Sequence, residues 1–175
     1  MNNIIESNNS DHAVAHLKGK YLTFALSEEQ YGIDILNVIE IFGMVNITSV
    51  PRSPDFMKGV INLRGKIIPV LDLRLKFGLN EKSYDEKTCI IVVNITIGDQ
   101  EVPMGIIVDT VLEVRDFNES MLAPAPDYGV SLDTNFIIGM GKFSNGDVTI
   151  LIDINKIFNN ADEKTLIQTT AQSEE

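Results

Sequence analysis

The chain has 175 residues, of which 44% are hydrophobic, and its 25 acidic and 14 basic side chains give a formal net charge of −11. This hydrophobic content is enough to form a core, which excludes disorder over the whole chain. The negative charge disfavours binding to nucleic-acid phosphates and to anionic membrane surfaces.

Features of the two ends and of the single cysteine indicate a cytoplasmic protein. No apolar run reaches the roughly 18 residues that cross a bilayer, and the first residues lack the basic and apolar regions of a signal peptide. Cys89 lies in an apolar run and has no second cysteine with which to form a disulfide. We expect a disordered tail over residues 1–18 and an acidic tail or short helix over residues 161–175.

Short strands and polar turns alternate along the chain. Clusters of β-branched and aliphatic residues between turn-forming residues predict strands at 21–26, 30–35, 60–63, 66–71, 88–95, 102–108, 136–142 and 148–152. Short helical segments are predicted at 36–41, 73–77 and 154–158. Many short strands at regular intervals favour β barrels over a doubly wound sheet.

The most informative stretch is FMKGVINLRGKIIPVLDLRLKFG, residues 56–78. Two apolar runs separated only by Arg64 and Gly65 predict a tight hairpin with a cationic side chain at its tip. Asp72 then precedes a short apolar and basic segment that ends before Gly78, which predicts one or two capped helical turns. A cation on a rigid hairpin tip suits a docking surface better than a catalytic cleft.

The same pattern occurs a second time. Residues 136–158, FIIGMGKFSNGDVTILIDINKIF, repeat the F-x-x-G start and the strand that ends in an aspartate. Upstream, residues 32–41 and 105–114 share the pattern G-I-x-[IV]-x-x-V-x-E-[IV] at a separation of 73 residues. Matches in the same order predict a duplicated β unit, with lobes at about residues 21–79 and 87–158 that share an apolar interface because each alone is small.

Residues that could support catalysis are scarce. The two histidines, His12 and His16, fall in the predicted tail, and no phosphate-binding glycine motif is present. Four aspartates recur at the ends of predicted strands and are better explained as helix caps than as paired acids: Asp34, Asp72, Asp109 and Asp153. We therefore predict a non-enzymatic protein without metal or cofactor.

Two surface interpretations remain open on the residues alone. Glu40 and Arg64 could form an ion pair at the surface, or Glu40 could be an ordinary solvated charge. Ile35, Val38 and Ile41, with their equivalents Val108, Val111 and Val114, could line a groove for a partner helix. The sequence favours a core position over a groove for these apolar side chains.

The motifs resemble the CheW family of bacterial chemotaxis coupling proteins. The resemblance covers residues 20–158 and rests on YGIDILNVIEI, on INLRGKIIPVLDLR, on GIIVDTVLEV and on APAPDY. It implies a mainly β fold of two SH3-like five-stranded β-barrel lobes with short helical turns. It also implies a non-catalytic adaptor that binds the cytoplasmic tips of chemoreceptors and the regulatory domain of the histidine kinase CheA in arrays at the inner face of the membrane.

The resemblance implies two sets of contact residues. The set expected to face the receptor is Ile35, Val38, Glu40, Gly59, Arg64, Val108 and Val111. The set expected to face the kinase is Asp127 and Tyr128. The sequence leaves open whether the chain also associates with itself into rings.

Two alternatives to this adaptor remain open on the sequence. Within the class, the chain could be the regulatory module of another chemosensory system or a fragment of a kinase. Outside it, the chain could be a small β barrel that binds a small ligand or an oligonucleotide, although the negative charge and the absence of tryptophan disfavour the latter.

Overall fold

The computed structural model describes residues 14–126 and 135–157, which form a mainly β structure. All eight predicted strands are present, and three further strands, Val38–Gly43, Thr110–Phe117 and Leu122–Ala123, were not predicted. The strands are β1 (Gly19–Leu26), β2 (Glu29–Asp34), β3 (Val38–Gly43), β4 (Met57–Leu63), β5 (Lys66–Asp72), β6 (Cys89–Ile97), β7 (Gln100–Val108), β8 (Thr110–Phe117), β9 (Leu122–Ala123), β10 (Ile137–Lys142) and β11 (Val148–Ile152).

The helical elements in the described part of the chain are single turns. One is an α-helix, α1 (Leu73–Lys76), and the others are 3₁₀ turns: η1 (Ala15–Leu17), η2 (Ile35–Asn37), η3 (Glu119–Met121) and η4 (Ile154–Lys156). The predicted helix at 36–41 is wrong beyond residue 37, because the chain there becomes β3 and pairs with β6. The predicted disordered tail over residues 1–18 is wrong for residues 14–18, since Val14 and Leu17 are buried beside Phe117. Residues 1–13 of that tail and the predicted tail over 161–175 lie outside the described residues.

The strands form two sheets, which define the two lobes of the molecule. The five-stranded lobe has the order β3-β6-β7-β5-β4, and the six-stranded lobe has the order β8-β1-β2-β11-β10-β9. The two-lobed, mainly β fold expected from the sequence is therefore confirmed.

The lobes do not coincide with the predicted bounds of 21–79 and 87–158. Each sheet combines strands from both halves of the sequence. The six-stranded sheet contains β1 and β2 of the first half with β8–β11 of the second, and the five-stranded sheet contains β6 and β7 of the second half with β3–β5 of the first. The exchange is made through two parallel pairings, β2 with β11 and β5 with β7. The chain therefore passes from one lobe to the other between β2 and β3 and again between β7 and β8, so that the two halves are interleaved.

The duplication itself is visible in matching local geometry. β4 and β10 have a register shift at the same place, before Gly59 and before Gly139. The backbone N–H of Asp72 donates to the Phe56 carbonyl at 2.7 Å, and that of Asp153 donates to the Phe136 carbonyl at 2.8 Å. The matching register shifts and backbone hydrogen bonds support the duplication predicted from the sequence.

The largest apolar cluster lies between the lobes. It combines Phe24 and Ile152 of the six-stranded lobe with Leu71, Ile91 and Ile106 of the five-stranded lobe, all of them buried. Two smaller clusters lie under the separate sheets. The shared interface expected from the small size of each repeat is present, and burial of this apolar surface holds the lobes together.

Candidate functional site

The β4–β5 hairpin presents Arg64 as the sequence predicts. Leu63 and Lys66 pair across the turn, and the two residues between them, Arg64 and Gly65, have φ angles of +53° and +85°. Positive φ at both central positions identifies the turn type whose twist matches that of the strands. Asn62 Oδ1 accepts a hydrogen bond from the Gly65 N–H at 2.9 Å, and the Arg64 side chain is 75% exposed.

The Arg64 guanidinium contacts Glu40 on β3. Arg64 Nη2 donates to Glu40 Oε1 at 2.8 Å, and the Glu40 side chain is only 26% exposed. β3 and β4 are the two outer strands of the five-stranded sheet, so the pair joins the two edges of this lobe. The contact is made through one oxygen. Glu40 Oε2 is buried and accepts no hydrogen bond from the described part of the chain.

An open cavity of about 520 Å³ lies beside this ion pair. The β3 side of its wall is formed by Glu40, Phe42 and Val45, and the β4 side by Ile61 and Leu63. Three polar residues complete the lining: Asn46, Thr48 and Asn62. A mixed apolar and polar hollow beside an exposed cation is suited to receiving a side chain of a protein partner.

The predicted apolar contact residues occupy different depths. Ile35, Val38 and Val111 are half-buried and pack against the cluster between the lobes, whereas Val108 is 1% exposed and belongs to the core. The duplication relates Ile35 to Val108 and Val38 to Val111, so the four residues lie at corresponding places of the two lobes. Ile35, Val38 and Val111 are therefore partly accessible to a partner, whereas Val108 belongs to the buried cluster against which they pack.

Gly59 is buried and supports the surface through its backbone. Its φ angle is +143°, a conformation that side chains rarely adopt, and a methyl group at this position would overlap the Thr48 carbonyl oxygen. Thr48 and Val60 exchange two backbone hydrogen bonds at 2.9 and 2.8 Å. Gly59 therefore lets the loop after β3 lie flat against β4, where it forms part of the cavity wall.

Further exposed apolar side chains flank these residues. On β3 and the preceding turn they are Leu36, Ile39 and Ile41, with exposures of 88%, 50% and 40%. The corresponding positions on β8 are Leu112 and Val114, with exposures of 43% and 50%. Leu36, Ile39 and Leu112 were missed in the sequence, and the core position favoured for Ile41 and Val114 is wrong, because both are exposed. Both strands lie at sheet edges. Because neither β3 nor β8 was predicted as a strand, the sequence did not indicate that these side chains point outward. We call the accessible part of Ile35, Val38, Ile39, Glu40, Arg64 and Val111 the docking surface.

The aspartates predicted to cap helical turns do so in three of four cases. Asp34 accepts from the Leu36 N–H, Asp72 from the Arg74 N–H and Asp153 from the Asn155 N–H, all through side-chain oxygens. Asp109 instead forms a 2.7 Å ion pair with Arg74 in which both side chains are nearly buried. The sequence alone did not indicate this contact.

The predicted kinase contacts, Asp127 and Tyr128, lie outside the described residues. The segment that leads to them, residues 124–126, is exposed and follows β9, which pairs with β10. Among the described residues, no group of three or more histidine, cysteine, aspartate or glutamate side chains is placed to hold a metal ion. In that same part of the chain no helix is long and apolar enough to cross a membrane.

Comparison with known proteins identifies the family. The CheW-like domain family matches residues 20–162. The chain is 42% identical over 154 residues to the chemotaxis protein CheW of Klebsiella aerogenes, covering 88% of this chain and 89% of that protein. It is 33% identical over 132 residues to the chemotaxis protein CheW of Helicobacter pylori, covering 75% and 77%.

A solved structure agrees with these sequence relatives. The crystal structure of the scaffolding protein TtCheW from Thermoanaerobacter tengcongensis superposes with a TM-score of 0.72 at 39% identity, covering 83% of this chain and 97% of that one. The resemblance seen in the sequence motifs is thereby confirmed. The chain belongs to the CheW-like domain family.

Proposed function

We propose that this protein is a non-catalytic scaffold that couples the cytoplasmic tips of chemoreceptors to the histidine kinase CheA in chemotaxis signalling arrays at the inner face of the membrane. The names of its relatives, a chemotaxis protein and a scaffolding protein, support this class of function. The observation that carries the proposal is the exposed Arg64 guanidinium, held against Glu40 between the two edges of one lobe.

The chemistry of the docking surface favours a protein partner. Arg64 is 75% exposed and has donors left over for a carboxylate or carbonyl of a partner. Glu40 Oε2 is buried without a hydrogen bond from the described residues, and such an oxygen is costly unless a donor reaches it. Val38 and Ile39 precede Glu40 on β3 and keep accessible apolar surface. An amphipathic helix with polar groups next to its apolar face would therefore fit.

Charge reversal at Arg64 tests the receptor contact. Arg64→Glu places two carboxylates opposite each other and removes the cation from the docking surface, so affinity for a receptor cytoplasmic fragment should fall about tenfold or more. The free energy of unfolding should change by no more than about 1 kcal/mol, because an exposed ion pair contributes little. Lys66→Glu is the matched control, since it makes the same change in net charge two residues away on the same hairpin.

Isothermal titration calorimetry with a receptor fragment measures the effect. The combined variant Glu40→Arg/Arg64→Glu should recover part of the lost affinity if the two side chains act as a pair. An Arg64→Glu protein that binds as tightly as the Lys66→Glu control would show that Arg64 is not a docking contact.

The kinase contact is proposed to use residues other than those of the docking surface. Asp127 and Tyr128 follow the proline-bearing segment 124–126, whose fixed φ angles stiffen the approach to them. An aromatic side chain beside an acid is suited to anchoring an interface. Asp127→Arg with Tyr128→Ala should reduce affinity for the kinase regulatory domain and leave receptor-fragment affinity unchanged, and equal loss for both partners would contradict separate contacts.

A further inference from the structure

A nearly buried ion pair, absent from the sequence predictions, joins the two lobes. Arg74 Nη1 donates to Asp109 Oδ2 at 2.7 Å, and the two side chains are 12% and 11% exposed. The same guanidinium nitrogen donates to Ser27 Oγ at 2.9 Å, and Arg74 Nε donates to the Asn80 carbonyl at 3.0 Å. Asp109 Oδ2 also accepts from the Ser27 N–H at 2.7 Å. This network, which we call the clasp, leaves Arg74 held on three sides.

The members of the clasp come from different lobes. Arg74 lies in α1, which directly continues β5 of the five-stranded lobe. Ser27 lies in the turn between β1 and β2 of the six-stranded lobe. Asp109 is the single residue between β7 and β8, where the chain passes from the five-stranded to the six-stranded sheet. The clasp therefore binds both lobes at the residue where the chain crosses from the five-stranded to the six-stranded sheet.

The duplication provides a corresponding contact between the lobes, and the two contacts differ in charge. The turn η4 corresponds to α1, and Asn155 in η4 accepts a hydrogen bond from the Thr96 N–H of β6 at 2.7 Å. This bond again links a helical turn of one lobe to a strand of the other. It is neutral, however, whereas the clasp contains a guanidinium and a carboxylate. Of the two contacts, only the clasp lies at the β7–β8 crossing.

The β7–β8 crossing also carries residues of the docking surface. Val108 precedes Asp109 directly and is part of the core between the lobes, while Val111 follows two residues later and is half-buried at the docking surface. We propose that Arg74 is a positioning residue, which sets the orientation of the lobes through Asp109 and thereby the place of Val111 relative to β3. This inference rests on the proposed function for the identity of the partner, and on the clasp alone for the orientation of the lobes.

Arginine is specifically suited to this position. Its planar guanidinium can hold Asp109, Ser27 and the Asn80 carbonyl at once, whereas a lysine ammonium offers a point charge on a flexible chain. Arg74→Lys should therefore give an intermediate phenotype, and Arg74→Met should leave the Asp109 carboxylate without its cation. Either change is expected to lower stability whether or not Arg74 orients the lobes. The test therefore has to measure the geometry of the lobes as well.

The test measures the distance between the lobes directly. Spin labels are attached at Asp99→Cys, in the turn between β6 and β7, and at Ser144→Cys, in the turn between β10 and β11, in a Cys89→Ala background. Both labelled positions are exposed and belong to different lobes. Pulsed dipolar spectroscopy should give a narrow distance distribution for the parent, a broader or shifted one for Arg74→Met, and an intermediate one for Arg74→Lys.

A destabilised variant elsewhere separates geometry from stability. Leu122→Ala removes a buried side chain from the cluster of the six-stranded lobe around Phe117, so it should lower stability and leave the distance distribution as in the parent. Under conditions where every variant is folded by circular dichroism, the dissociation constant for the receptor fragment should rise at least threefold in Arg74→Met and stay unchanged in Leu122→Ala. An unchanged distance distribution in Arg74→Met, or the same change in Leu122→Ala, would overturn the inference. If the parent does not bind the receptor fragment, the proposed function fails, and the distance distributions alone decide whether the clasp orients the lobes.

Discussion

Gly59 should be the glycine of the β4–β5 hairpin that tolerates a side chain least. Its φ angle is +143°, and an added methyl group would overlap the Thr48 carbonyl oxygen. Gly65 at the tip of the same hairpin also has a positive φ, +85°, but a methyl group there would meet nothing within 4 Å. The two glycines therefore separate the cost of backbone strain from the cost of displacing a neighbour.

The size of the Gly59→Ala effect follows from these contacts. Strain at a backbone conformation reserved for glycine costs about 1–3 kcal/mol. Moving the loop off β4 breaks the two hydrogen bonds between Thr48 and Val60, which contribute about 1 kcal/mol each. We expect Gly59→Ala to lower the free energy of unfolding by about 3–5 kcal/mol, and Gly65→Ala by about 1 kcal/mol because only strain acts there.

Urea unfolding monitored by far-ultraviolet circular dichroism measures both values. Since the loop forms part of the cavity beside Glu40, Gly59→Ala should also weaken receptor-fragment binding even where the protein remains folded. Equal losses of stability in the two alanine variants would refute the argument that the close approach of Thr48 makes Gly59 necessary.

Two tyrosines give further predictions. Burial, with a smaller contribution from the Asp34 charge, raises the pKa of Tyr21 to about 12, so above pH 10 the folded state binds more protons than the unfolded state and stability falls as the pH rises. The free energy of unfolding measured with urea should fall by about 1 kcal/mol less from pH 9 to pH 11 in Tyr21→Phe than in the parent. The same decrease in both proteins would contradict the assignment of this pH dependence to Tyr21. Tyr84 donates to the buried Asp72 carboxylate at 2.9 Å, so Tyr84→Phe should cost about 1–2 kcal/mol at pH 7, whereas a cost near zero in the same assay would mean that solvent replaces the bond.

Local chemistry explains which parts of the fold were predictable. The Arg64–Gly65 turn is specified by its own two residues, and the caps at Asp72 and Asp153 by the aspartate that precedes each helical turn. β5 and β6 are buried apolar runs between turn signals. In such cases short-range preferences and tertiary structure favour the same answer.

The parts that were missed depend on contacts between distant residues. β3 has apolar residues on both sides of Glu40, a pattern that is also compatible with a short helix. Its pairing with β6 makes it a strand. The exchange of strands between the halves depends on the parallel pairs β2–β11 and β5–β7, which leave no local signal. Arg74 and Asp109 are 35 residues apart in sequence, so their contact could be found only once the lobes were placed.

Within the candidate site, sequence reasoning located the ion pair better than the apolar contacts. The resemblance and the hairpin tip both indicated Arg64, and its contact with Glu40 is present. Val108 was assigned to the same surface but is buried, because it ends β7 within the core between the lobes. Side chains on a strand can be assigned to the core or the surface only when the bounds of the strand and its place in the sheet are known.

The most direct test of the proposed scaffold is formation of a three-part complex. An immobilised receptor cytoplasmic fragment is mixed with the kinase regulatory domain in the presence and absence of this protein, and retained kinase is quantified. The proposal predicts that the kinase domain is retained when the protein is present, and that the Arg64→Glu variant reduces the amount retained whereas Lys66→Glu does not. Retention of the kinase domain at the same level without the protein, or none with it, would contradict the proposed coupling of receptor to kinase.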